Sequence, residues 1–187
     1  PRTTRADLEE TLEIGPDGGL YGPLWFRGAV ARVDVETAEL EVIAEGFEVP
    51  AAVNFDSTGT LYAVDTARGL LLRVDREGGE HEVVARVPGA IDNLAIAPDD
   101  DVYLTIMADN AVLHVDPETG EVRTVVDSPL AVAGDVALSE DGRSLWVADV
   151  FTLRDDEAAD RFDDELDLEI EVSGPLELAV EPAPFHL

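Results

Sequence analysis

Short apolar runs recur along this chain at nearly constant spacing. They begin at Leu12, Val53, Leu94, Val136 and Leu178, in steps of 41, 41, 42 and 42 residues. Markers inside the runs keep the same period. Arg32-Val33-Asp34, Arg73-Val74-Asp75 and His114-Val115-Asp116 stand 41 apart, and Leu20-Tyr21, Leu61-Tyr62, Val102-Tyr103 and Leu145-Trp146 follow at 41, 41 and 43. The runs are rich in β-branched and aromatic residues and bounded by Gly, Pro and Asp, which is the pattern of strands and turns. A period near 40 with several short strands in each unit predicts β-propeller blades.

Repeat two shows the unit most cleanly. Ala52–Phe55 is its inner strand, Asp56-Ser57-Thr58-Gly59 the turn, and Leu61–Val64, Leu70–Val74 and His81–Val87 complete a four-stranded antiparallel sheet. The fold expected is all-β, with blades over about 11–49, 50–90, 91–131 and 132–174 and the inner strand of a fifth over 175–187. Repeat four departs from the period. An acidic insertion, Arg154–Glu165, separates its second strand from the alternating run Leu166, Leu168, Ile170, Val172 and is placed to hang over the channel mouth. Leu176–Val180 reads as a fifth inner strand and the chain stops soon after, so either four blades close with help from that last strand or, the expectation favoured here, the sequence is part of a larger propeller. Open blade edges would then invite self-association.

The charge balance is far from ordinary. Forty-two Asp and Glu stand against 12 basic residues, every one of them Arg, for a net charge of −30. Regular apolar strands argue against disorder, so such a surface predicts a soluble folded protein suited to high salt. Near-molar salt shortens the screening length to about 3 Å and relieves the self-repulsion. No basic patch exists to bind nucleic acid, and no apolar run approaches the roughly 20 residues of a membrane span. Cys is absent, which removes thiolate sites and disulfides but does not separate a high-salt cytoplasm from an extracellular location.

Candidate chemistry follows from the repeat register. Inner strands line a propeller's channel, and the loops entering them open on the usual ligand face. Aligning the repeat starts places Glu10, Ala51, Asp92, Gly134 and Leu176 in one register and Thr11, Ala52, Asn93, Asp135 and Glu177 in the next. Glu10, Asp92, Asn93, Asp135 and Glu177 would bring oxygen atoms to the mouth, the donor type that calcium or another hard divalent cation takes. The competing reading makes Asp92 and Asn93 a turn pair bonded to local backbone. His114 shares its register with Arg32 and Arg73 and is expected on a strand surface, His81 on the face opposite the mouth. Asp65 and Asp149 close the second strands, where bonding to turn backbone is expected.

The stretches Val53-Asn54-Phe55-Asp56 through Leu61-Tyr62-Ala63-Val64-Asp65-Thr66, and Val136 through Asp149, resemble the repeats of the regucalcin/gluconolactonase family of six-bladed propellers. Ile91-Asp92-Asn93-Leu94 resembles the Asp-Asn calcium-ligand pair of paraoxonase-like lactonases. The resemblance implies a calcium-dependent lactone or ester hydrolase, with a lactone, an ester or a sugar-acid-like compound as its small-molecule ligand. Asp92 and Asn93 would hold the ion and Asp135 would serve as a further ligand or as the base. The family's Pro-Asn-Gly before an inner strand is replaced by Pro50-Ala51-Ala52 and Ala133-Gly134-Asp135, which favours a second expectation, a non-catalytic binding propeller of the NHL kind. Gly15-Pro16-Asp17-Gly18-Gly19-Leu20 is similar to streptogramin-lyase propellers, without a matched catalytic His.

Overall fold

A computed structural model describes residues 11–127, 133–139, 142, 144–149, 166–173 and 177–180. At 149 and in the last two stretches it describes the backbone alone. Four sheets of four antiparallel strands follow one another along the chain. The first holds β1 (Glu13–Ile14), β2 (Leu20–Leu24), β3 (Ala29–Val33) and β4 (Leu40–Glu45). The second holds β5 (Pro50–Phe55), β6 (Leu61–Asp65), β7 (Leu70–Val74) and β8 (His81–Arg86). The third holds β9 (Ile91–Ile96), β10 (Val102–Ile106), β11 (Ala111–Val115) and β12 (Val122–Val126). The fourth holds β13 (Ala133–Leu138), β14 (Ser144–Asp149), β15 (Leu166–Ser173) and β16 (Glu177–Val180).

Strands within each sheet are ordered as in the chain. β5 packs against β9 and β9 against β13, so the first strand of each sheet lies on a shared inner edge. The apolar cores lie between sheets. Phe47, Val53, Leu61 and Leu70 join sheets one and two, Val64, Leu71, Ile91 and Leu104 join two and three, and Tyr103, Val112, Val136 and Leu145 join three and four. Every residue of β6 and of β10 is buried, whereas β8 is half exposed, because a central strand is covered on both faces by neighbouring sheets and an outer strand is not.

Glu177–Val180 corrects the expected fifth inner strand. It pairs with β15, Ile170 opposite Val180 and Ser173 opposite Glu177, and so forms the outer strand of the fourth sheet. The reason is length. The connection from β14 to β15 is twelve residues longer than that from β10 to β11, which pushes the fourth strand to where the next inner strand would otherwise fall. The insertion itself and Glu10 lie outside the described residues.

Candidate functional site

Three inner strands carry the same irregularity at the same place. In the second sheet Pro50 pairs with Asp65 and Val53 with Ala63, so Ala51 and Ala52 together face Val64. In the third, Asp92 and Asn93 together face Thr105. In the fourth, Gly134 and Asp135 together face Ala148. Such a bulge lifts one residue out of the hydrogen-bond ladder and re-aims its neighbours. The residues it re-aims here are the register positions singled out by the repeat. The inner strands begin earlier than the apolar pattern suggests, so Asp92 and Asn93 lie within β9 and not in a turn before it.

The bulge in β9 is held by side chains. The freed Asn93 N–H donates to the hydroxyl of fully buried Thr105 at 3.1 Å. The Asn93 amide oxygen accepts the Leu94 N–H at 2.7 Å, and its NH2 group donates to the Asp135 carboxylate on the next sheet. Asn93 is buried, Asp92 half-buried and Asp135 exposed. Burial pushes the Asp92 carboxyl above the usual carboxylate range, and the neighbouring charge of Asp135 pushes it the same way. Among the described residues no basic side chain forms an ion pair with either carboxylate.

These side chains bring hard oxygen donors from two sheets to one place, the chemistry that calcium takes. They account for part of a shell of 6–8 oxygens. The Asn93 oxygen is occupied by the Leu94 N–H, and no cluster of three or more His, Asp or Glu side chains placed to hold a metal forms among the described residues. Ala51 and Ala52 contribute no donor. Glu177 lies on the outer strand of its sheet and is removed from the mouth, contrary to its expected register.

Other candidates take structural places. The buried Asp65 carboxylate accepts the N–H groups of Glu48, Val49 and Arg68 at 2.8, 3.2 and 3.3 Å, fastening the entry to β5. The Asp149 side chain lies outside the description. His114 is buried and not on the surface: its Nε2 lies 2.6 Å from Asp101 Oδ2, and its Nδ1 accepts Arg123 Nε–H at 3.1 Å. His81 stacks on Phe47 with ring centroids 4.7 Å apart, between the first and second sheets.

Sequence reasoning missed a groove of about 450 Å³ at the same end of the sheets, lined in part by Trp25, Ala67 and Arg68. A signal was available. Trp25-Phe26 occupies the loop position that Thr66-Ala67 and Met107-Ala108 hold in the next repeats. A second cleft of about 590 Å³ opens among acidic turns at the opposite end, where Asp56, Asp99, Asp101 and Asp116 surround Arg73.

Four-stranded sheets arranged around shared inner edges define a β-propeller chain. The sequence profile of the SMP-30/Gluconolactonase/LRE-like region matches residues 8–150, and the chain belongs to that family. No curated protein matches it. Among solved structures it is similar to a gluconolactonase from Xanthomonas campestris, at 15% identity and a TM-score of 0.75, covering 92% of this chain and 60% of that one. It is similar to virginiamycin B lyase from Staphylococcus aureus, at 12% identity and a TM-score of 0.74, covering 99% and 59%. A nidogen/laminin complex matches at 14% identity and a TM-score of 0.67, covering 74% and 55%. These likenesses show the fold. The chain spans less than two thirds of the length of each of these proteins.

Proposed function

We propose that this chain carries part of the active face of a divalent-cation-dependent hydrolase of lactones or esters. The observation that carries the reading is the pair Asp92 and Asp135, set in bulges of adjacent inner strands and joined through Asn93. A cation held between them, calcium in the first instance, would polarise a carbonyl and acidify a bound water. The chain's own part is positional and basic. Asn93, locked by Thr105 and Leu94, holds the Asp135 carboxylate. Asp135, exposed, takes a proton from water as its oxygen attacks the lactone carbonyl carbon. The ring C–O bond then breaks, and the departing alkoxide recovers the proton from Asp135.

Calcium titration by calorimetry tests this reading, with hydrolysis of a small lactone followed by pH-stat. Wild type is expected to bind calcium and hydrolyse the lactone, and Asp92→Asn to lose at least about tenfold in calcium affinity. Equal calcium heats in both proteins, or no lactone turnover with calcium present, would overturn it.

A non-catalytic binding propeller is favoured by Ala51 and Ala52, which leave the second sheet's bulge without a polar side chain. A lactone panel that stays inert with and without calcium selects that reading. A lyase of the streptogramin type finds less support. A histidine-to-alanine variant of the staphylococcal lyase is catalytically inactive, whereas His81 and His114 are both packed away from Asp92 and Asp135 by the contacts above.

A further inference from the structure

The groove beside the carboxylates has a lining that selects among substrates. Its walls come from loops of the first two sheets and the connections that follow them: Trp25 after β2, Val49 before β5, Ala67 after β6, and Val87 and Ala90 before β9. At about 450 Å³ it has the size of a small-molecule site, for which roughly 300–1,000 Å³ is usual. It is continuous with the candidate site along the chain. Ala90 stands two residues before Asp92, which extended backbone spans in at most about 7 Å.

Several polar groups of this lining are already engaged. The Thr66 hydroxyl donates to the Ile91 carbonyl at 2.7 Å. The Arg68 guanidinium donates to the Gly46 carbonyl at 2.9 Å and lies 3.4 Å from Glu48 and 3.5 Å from Asp65. The Thr66 and Val87 N–H groups bond the Val49 and Gly69 carbonyls at 2.8 and 2.9 Å. A polyhydroxylated ring placed here would trade hydration for a lining that is mostly apolar and offers it few bonds. An alkyl or aryl group would shed water from Trp25, Val49 and Ala67 without giving up hydrogen bonds of its own.

Building on the hydrolase reading above, we propose that this groove holds the apolar substituent of an alkyl- or aryl-substituted lactone or ester whose carbonyl lies at Asp92 and Asp135. The substrate class is then a lipophilic lactone in preference to a sugar lactone. Trp25 lies in the wall and reports occupancy through its fluorescence.

The test titrates the chain with δ-decalactone, which carries an alkyl tail, δ-valerolactone, which is the ring alone, and glucono-δ-lactone, which is a polyol. Calorimetry is the binding readout for all three compounds, Trp fluorescence reports occupancy of the groove by the tail, with Trp25→Phe identifying the reporter, and pH-stat hydrolysis with calcium is a separate arm. Ala67 is exposed, so Ala67→Glu places a charge in the groove without disturbing a core. Wild type is expected to bind δ-decalactone at least about tenfold more tightly than the other two. That preference should vanish in Ala67→Glu, whose affinity for δ-valerolactone should stay unchanged. Equal affinities for the three compounds, or a preference that survives Ala67→Glu, would overturn the groove. Tail-selective binding without turnover of any lactone would leave the groove standing and remove the hydrolase. Turnover without tail preference would do the reverse.

Discussion

Asp34, Asp75 and Asp116 do the same work in three sheets, and they explain the recurring Val-Asp pair. Each ends a third strand and accepts an N–H from two residues on: Glu36 at 2.9 Å, Glu77 at 3.0 Å and Glu118 at 2.8 Å. The Asp34 carboxyl is held below its ordinary value by the Thr37 and Glu36 N–H groups, and that of Asp75 by the Glu77 N–H. For Asp116 the Thr119 hydroxyl acts first and the backbone N–H groups add to it. A carboxyl depressed on folding binds its proton more weakly in the native state. Its contribution to stability is therefore present above the unfolded value of about 3.9 and is lost as pH falls through the lower native value. Asp116→Asn keeps an acceptor oxygen but removes the charge. In about 1 M KCl, where the overall repulsion is screened, the variant is expected to melt below wild type at pH 7, with the deficit shrinking as pH falls through the lowered native value of the Asp116 carboxyl. Thermal melts across pH 2.5–7 check this, and a deficit that stays constant with pH would show that charge plays no part in the turn.

Each fourth strand in the first three sheets carries one extra residue, and that residue meets the next sheet. Ile43, Val84 and Val125 are skipped in the pairing of β4, β8 and β12 with their neighbours. A Cβ built on Gly120 would stand 2.6 Å from the Val84 carbonyl oxygen, and one on Gly79 3.0 Å from that of Ile43. Both glycines sit at positive φ, +71° and +72°. Ala38 holds the same turn position at φ 57°. Gly120→Ala therefore meets both backbone strain and a carbonyl, and should destabilise by about 2 kcal/mol, lowering Tm by about 4–8 °C. At Ala38 the left-handed conformation costs about 1–2 kcal/mol, and glycine's added freedom in the unfolded chain gives back about 0.4–1. Ala38→Gly should therefore raise Tm slightly. A differential-scanning comparison that reverses either sign would contradict the packing described. Strands and the 41-residue register were legible in the sequence because alternation and turn chemistry repeat. The bulges were not, since alternation does not say where two residues face one. Asp92, Asn93 and Asp135 nevertheless come together because they fall in two adjacent registers of the repeat, and the bulges occupy those registers. Glu177–Val180 was misassigned for a related reason: an outer and an inner strand alternate alike, and only pairing tells them apart. His114 was placed at the surface because its repeat partners are Arg, whereas Asp101 and Arg123 enclose it.

For the molecule as a whole, charge outweighs any single contact. Forty-two carboxylates and 12 arginines share one chain. Among the described residues the shortest Arg–carboxylate pairs, Arg32 with Asp17 and Arg73 with Glu82, both at 2.7 Å, neutralise two acids. Most of the remainder repel one another across sheets whose cores are thin layers of Leu, Val and Ala. The range of that repulsion is about 30 Å at 0.01 M salt, about 10 Å at 0.1 M and about 3 Å at 1 M. The acidic composition predicts a protein adapted to high salt, and the fold makes the consequence measurable. Repulsion between sheets is relieved once the screening length drops below the roughly 10 Å separation of packed sheets. Tm should therefore rise most steeply between about 0.1 and 1 M KCl, by at least about 10 °C, and flatten beyond, where there is little left to screen. Sucrose matched for osmolality separates the two causes of such a rise, since it is excluded from the surface but carries no charge. If sucrose reproduces the gain, exclusion and not screening stabilises the chain. If Tm is indifferent to KCl across that range, the acidic surface is no adaptation to salt.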